Sequence, residues 1–103
     1  MSIKFVDSGG FRKEIESSDD KRLVFFYNER RMPCMIMRPV LDEVAEENKD
    51  VDICCIDITK NGELARYLEV MAVPTFFMFR GSRRTGKKIG TCSKSQIQKF
   101  IDM

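Results

Sequence analysis

Asn28-Glu29-Arg30-Arg31-Met32-Pro33-Cys34-Met35-Ile36-Met37-Arg38-Pro39 joins an apolar run to a helical pattern, and the rest of the chain is organised around it. The apolar run Leu23-Val24-Phe25-Phe26-Tyr27 precedes it and reads as a buried strand. Val40, Leu41, Val44 and Ala45 follow it at helical spacing. A strand that passes directly into a helix puts the joining turn at the strand's carboxyl end, where open α/β sheets bind their ligands. Cys34 falls in the first turns of that helix, where the positive end of the helix dipole favours a thiolate. Arg30 and Arg31 stand just before it. Cys34 is therefore the first candidate site residue.

Upstream of this stretch, Ile3 to Val6 reads as a short strand. Asp7 and Ser8 are placed to cap a helix that carries Phe11 and Ile15 on one face. Ser17-Ser18-Asp19-Asp20 reads as a turn into the Leu23–Tyr27 strand. The long helix then runs from about Pro33 to Asn48, with Pro33 at a first-turn position and Pro39 bending it from within. Its expected buried stripe is Ile36, Val40, Leu41, Val44 and Ala45.

Downstream, Val51 to Ile58 reads as a third strand, and Asn61 is placed to cap a short helix with Leu64, Ala65 and Leu68. Val70 to Thr75 connects to a fourth strand, Thr75 to Arg80. Gly81 to Gly86 turns the chain into a fifth, Lys87 to Thr91, which so short a loop makes antiparallel. Ser93 and Gln96 form a capping box for a last helix that presents Ile97, Phe100 and Ile101 to the core. The order is βαβαβαββα. That is an α/β domain spanning residues 1–103, with a mixed five-stranded sheet and helices on both faces.

Composition narrows the chemistry. The chain has no histidine, which excludes a histidine base, a histidine-ligated metal and a Ser-His-Asp triad. A net charge of +2 is too small to argue for nucleic acid. No apolar run approaches the roughly 18–20 residues of a membrane span, and the start lacks a signal peptide's long apolar core. Cys54 and Cys55 are neighbours, with Cα atoms about 3.8 Å apart, too close for ordinary disulfide geometry. Both lie in an apolar run, so the four cysteines argue for a reducing, cytoplasmic setting rather than a disulfide framework.

This order and a set of local matches resemble the thioredoxin family over essentially the whole chain. Arg30-Arg31-Met32-Pro33-Cys34 stands where the family has Trp-Cys-Gly-Pro-Cys, and Arg38-Pro39 matches the bend that follows. Val73-Pro74-Thr75 is similar to the family's cis-proline loop. Phe79-Arg80-Gly81 with Lys88-Ile89-Gly90 resembles its closing hairpin, and Ser93 to Gln96 the start of its last helix. In the family the first cysteine attacks a substrate disulfide and the second resolves the mixed disulfide. Here Arg31 stands at the attacking position, and Phe25 and Ile53 match the family's buried aspartate and lysine. The two-thiol cycle is missing, so dithiol reduction is expected to be weak or absent, and whether the chain is an enzyme stays open.

The resemblance implies two readings of the site. In the first, the protein is a monothiol redox protein. Cys34 forms mixed disulfides with glutathione or a client, Arg31 and Arg30 stabilise its thiolate, and Val73 and Pro74 align the client. In the second, it is a non-catalytic peptide-binding module. Arg30, Arg31 and Met32 are its recognition residues, Pro33, Met71, Val73 and Pro74 complete the client groove, and Cys34 is a shielded relic. Client protein or peptide is the expected partner, with glutathione as co-substrate and thioredoxin reductase as a further partner. No nucleic acid, membrane, resident cofactor or metal is expected, and the protein is expected as a monomer or weak dimer. An iron–sulfur cluster shared between two chains through Cys34 would need glutathione or a partner for its remaining ligands. The basic residues Arg80, Arg83, Arg84, Lys87 and Lys88 read as a solvated hairpin. Cys92 reads as buried or incidental.

Overall fold

The computed structural model describes residues 3–17 and 19–103. The expected turn at 17–20 includes Ser18, which lies outside them, as do Met1 and Ser2. The elements follow the expected order: β1 (Ile3–Phe5), α1 (Ser8–Ser17), β2 (Lys21–Tyr27), α2 (Met32–Glu47), β3 (Asp52–Asp57), α3 (Gly62–Tyr67), β4 (Thr75–Arg80), β5 (Arg83–Ile89) and α4 (Lys94–Asp102). The sheet order is β1-β3-β2-β4-β5. β3 lies parallel to both β1 and β2, while β4 runs antiparallel to β2 and β5. The sheet is mixed, as the crossover helices and the tight terminal hairpin require.

The central strands are apolar on both sides, and alternate residues feed two cores. Leu23, Phe25, Ile53, Cys55, Phe76 and Met78 join α2 and α4 in one. Val24, Phe26, Cys54, Ile56, Phe77 and Phe79 join Phe11 of α1 in the other, with Leu64 and Leu68 packed at its margin. Cys54 and Cys55 thus behave as small apolar residues on opposite faces, and burial pushes their thiols up to about 11 and about 12.

The caps divide into kept and reassigned. Asp7 Oδ1 accepts from the Gly10 N–H at 2.7 Å, holding the glycine-rich start of α1. Ser93 and Gln96 make both halves of the capping box. Asn61 does not cap α3 with its side chain. Its amide oxygen instead accepts from the N–H and hydroxyl of Ser8, and its amide donates to the Asp57 carbonyl. The residue ties α1 to the β3–α3 turn.

Three further expectations from the sequence need correction. Ile36, expected in the buried stripe of α2, is 55 % exposed, and Met37 is buried in its place. The buried face is Cys34, Met37, Leu41, Val44 and Ala45. Met35, Ile36 and Met37 are all apolar, so periodicity there does not set the helix phase. The second strand begins at Lys21, earlier than expected, and buries Arg22 beside Glu14 (3.5 Å) and Asp52 (4.0 Å). β5 begins at Arg83 because only Gly81 and Ser82 form the turn, with Gly81 at φ 60°. Its charged first half looks like a loop in sequence because an edge strand needs no apolar face.

Candidate functional site

Strand pairing builds the site. Phe26 of β2 lies opposite Thr75 of β4, so the turn leaving β2 and the loop entering β4 emerge side by side at one end of the sheet. The first segment carries Arg30, Arg31, Met32, Pro33 and Cys34; the second carries Met71, Val73 and Pro74. The structure therefore brings all eight candidate residues to the same end of the fold.

The turn is a local hydrogen-bond device. Asn28 accepts the Arg30 N–H on its side chain at 3.0 Å and the Arg31 N–H on its carbonyl at 2.9 Å. Arg31 is the N-cap of α2 in extended conformation and makes no side-chain cap. Its carbonyl accepts from the N–H groups of Cys34 and Met35 at 3.0 and 3.2 Å. Pro33 sits in the first turn, where a missing N–H leaves nothing unpaired. Arg30, Arg31, Met32 and Pro33 all face solvent, Met32 with 70 % of its surface exposed.

Cys34 does not face solvent. It is 2 % exposed and belongs to the core beneath α2. Burial pushes its thiol above the ordinary value, opposed by a backbone hydrogen bond from Asn28 and by the Arg31 charge. Asn28 went unnoticed in the sequence reading. The signal was a turn-forming asparagine at the strand's end.

Opposite, the Val73–Pro74 peptide bond is cis. Pro74 is buried, and its carbonyl accepts the Gly90 N–H at 2.9 Å. The Thr75 hydroxyl donates to the Ala72 carbonyl at 2.6 Å, closing the loop on itself. Val73 is half-buried, and among the described residues its backbone N–H and C=O have no hydrogen-bond partner. Met71 projects with 94 % of its surface exposed and Met35 with 49 %. The end of the sheet thus presents adaptable apolar side chains, two arginines and an open backbone segment, over a buried thiol.

All four cysteines are free, and Cys92 is half-buried against the α2–α4 core. Among the described residues no cluster of His, Cys, Asp or Glu is arranged to hold a metal ion. No helix among them is long and apolar enough to cross a membrane.

A mixed sheet of this order, with a helix starting after β2 beside a cis-proline loop, defines a fold of the thiol–disulfide exchange class. Comparison with known proteins makes this specific: the thioredoxin family profile matches residues 2–103, and the chain belongs to that family. A thioredoxin of Pseudomonas aeruginosa is 31 % identical over 98 residues, covering 94 % of this chain and 91 % of that protein. Mitochondrial thioredoxin 3 of Saccharomyces cerevisiae, in its oxidized form, superposes with a TM-score of 0.88 at 29 % identity, covering 98 % and 94 % of the two chains. A mutant thioredoxin of Halobacterium salinarum reaches a TM-score of 0.90 at 24 % identity, covering 98 % and 88 %, a likeness of fold.

Proposed function

We propose that this protein is a thioredoxin-fold binding module that holds an extended client peptide and does not run a dithiol cycle. The observation that carries this is the burial of Cys34: a thiol 2 % exposed and pushed toward its protonated form is a poor nucleophile. At the position matching the family's attacking cysteine stands Arg31, which has no thiol to offer. The client would pair its backbone with Val73 and rest apolar side chains on Met32 and Met71. Arg30 and Arg31 would select for acidic groups near the contact. We place the protein in a reducing, cytoplasmic compartment, with its four thiols free.

The monothiol reading keeps one observation in its favour. The Asn28 hydrogen bond and the Arg31 charge both act to stabilise a thiolate at Cys34. A client that prised the turn open would let the Cys34 thiolate attack a client disulfide and release one client thiol. A glutathione thiolate would then attack the Cys34–client disulfide, freeing Cys34 and leaving glutathione on the client. Cys34→Ser separates the two readings. The binding module predicts unchanged client retention on the immobilised variant and no turnover of a protein disulfide with thioredoxin reductase. Loss of capture on substitution, with a trapped disulfide in the parent, would establish the monothiol reading instead.

A further inference from the structure

Away from this site, one sheet edge carries a concentrated positive charge. Between Glu69 and Asp102 the chain has no acidic residue, yet Arg80, Arg83, Arg84, Lys87 and Lys88 crowd the β4–β5 hairpin. Among the described residues β5 has β4 as its sole strand neighbour. Alternate residues of such a strand turn their N–H and C=O groups outward, leaving a row of unpaired ladder groups. None of the five cations takes part in an ion pair among the described residues.

The charges are also ordered. Lys87 lies opposite Phe77 and Lys88 opposite Phe76, so these neighbours point to opposite faces of the sheet. The Arg84 guanidinium lies 4.8 Å from the Phe77 ring centroid and Lys87 Nζ 5.8 Å from it. Lys87 Nζ donates in addition to the Glu69 carbonyl at 3.4 Å. Side chains already held this way lose less freedom when a partner arrives. Positive charge therefore flanks an open ladder edge on both faces.

We propose that β5 is a docking edge for an extended acidic segment of a partner protein, which adds to the sheet as a sixth strand. A second copy of this edge is repelled by the same charges. Backbone pairing supplies the extended geometry, and carboxylates at consecutive positions of the partner reach the cations on either face. The outward edge of β5 adjoins the cis-proline loop at Gly90 and Lys87 but is a different surface from the α2 groove, and its docking does not rest on the groove's function.

The test uses the full chain and a short fluorescein-labelled peptide of Glu-Glu-Val-Thr repeats. A Lys-Lys-Val-Thr peptide and an oligouridine RNA serve as comparators. The acidic peptide is expected to bind, to weaken as salt rises toward about 0.15 M, and to move the backbone amide resonances of residues 83–89. Arg83→Glu with Lys88→Glu is expected to weaken it about tenfold or more, with the melting transition checked for an intact fold. N-methylation of alternate peptide amides should weaken binding at constant charge. Resonance mapping on the unaltered chain decides the question even where the double variant folds poorly. Absent binding, indifference to N-methylation, or tighter binding of the RNA would overturn the proposal. Shifts confined to residues 28–35 and 70–74 would assign the peptide to the groove and overturn it equally.

Discussion

Taking the Cys34 thiol out of water disfavours its thiolate, while the Asn28 hydrogen bond and the Arg31 charge favour it. Burial wins, because a side chain 2 % exposed has almost no water left to solvate the charge. The same physics acts more strongly on Cys54 and Cys55, raised from 9.0 to about 11 and about 12. In the unfolded chain these thiols ionise first, so above pH 9 the native state binds more protons than the unfolded one. Their contribution to stability is full below pH 9 and is lost as pH climbs toward 11 and 12. Urea unfolding at stepped alkaline pH should therefore show falling stability, with a shallower fall in Cys54→Ala/Cys55→Ala. Equal slopes in the two proteins would contradict the assignment.

At the scale of the element, the phase of α2 decides which side chains touch the core and which reach a partner. Met37 is fully buried and Ile36 more than half exposed. Met37→Ala should cost about 2–5 kcal/mol in a denaturant titration, and Ile36→Ala roughly 0.5 kcal/mol or less. The reverse order would restore the stripe expected from sequence. In α4 the Ser93 hydroxyl accepts the Gln96 N–H at 3.1 Å, and Gln96 Oε1 accepts the Ser93 N–H at 2.8 Å. Ser93→Ala should cost about 1 kcal/mol by the same measurement. These two helices also meet through a reciprocal amide pair, Asn48 with Gln98, at 2.7 and 2.9 Å. Nothing in the local sequence of either residue announced it, because the partners are fifty positions apart.

Across the whole molecule, the alternation of apolar runs with helical patterns made the element order and the mixed sheet legible before any coordinates. Continuous runs such as Leu23 to Tyr27 signal a strand covered on both faces, and the short loop expected at 81–86 implies an antiparallel hairpin, which the structure closes with residues 81–82 alone. That the candidate residues of both segments share one end of the sheet was legible for the same reason, since strand-to-helix turns lie at the sheet's carboxyl end. Three things depended on packing that sequence does not encode locally. One is the burial of Cys34. The second is Arg22, a charge inside the sheet that Glu14, Asp52 and the Ser17 hydroxyl surround. The third is the Asn61 tie to Ser8. Glu14 also receives Lys4 at 3.0 Å, so one carboxylate joins α1 to both β1 and β2. Glu14→Gln should destabilise the fold by roughly 1–3 kcal/mol, read from the urea midpoint, because it leaves a buried cation with weaker support.

The proposed binding role requires the Cys34 thiol of this thioredoxin-family chain to stay out of reach. The most direct measurement is the rate of iodoacetamide modification at Cys34 in the folded protein as a function of pH. Peptide mass spectrometry separates Cys34 from Cys92, and Cys34→Ser provides the blank. Slow modification is expected, rising only above the ordinary thiol range or when the chain is unfolded. Fast modification with an apparent pKa well below about 8.5 would mean an activated thiol, and would contradict the binding-module reading.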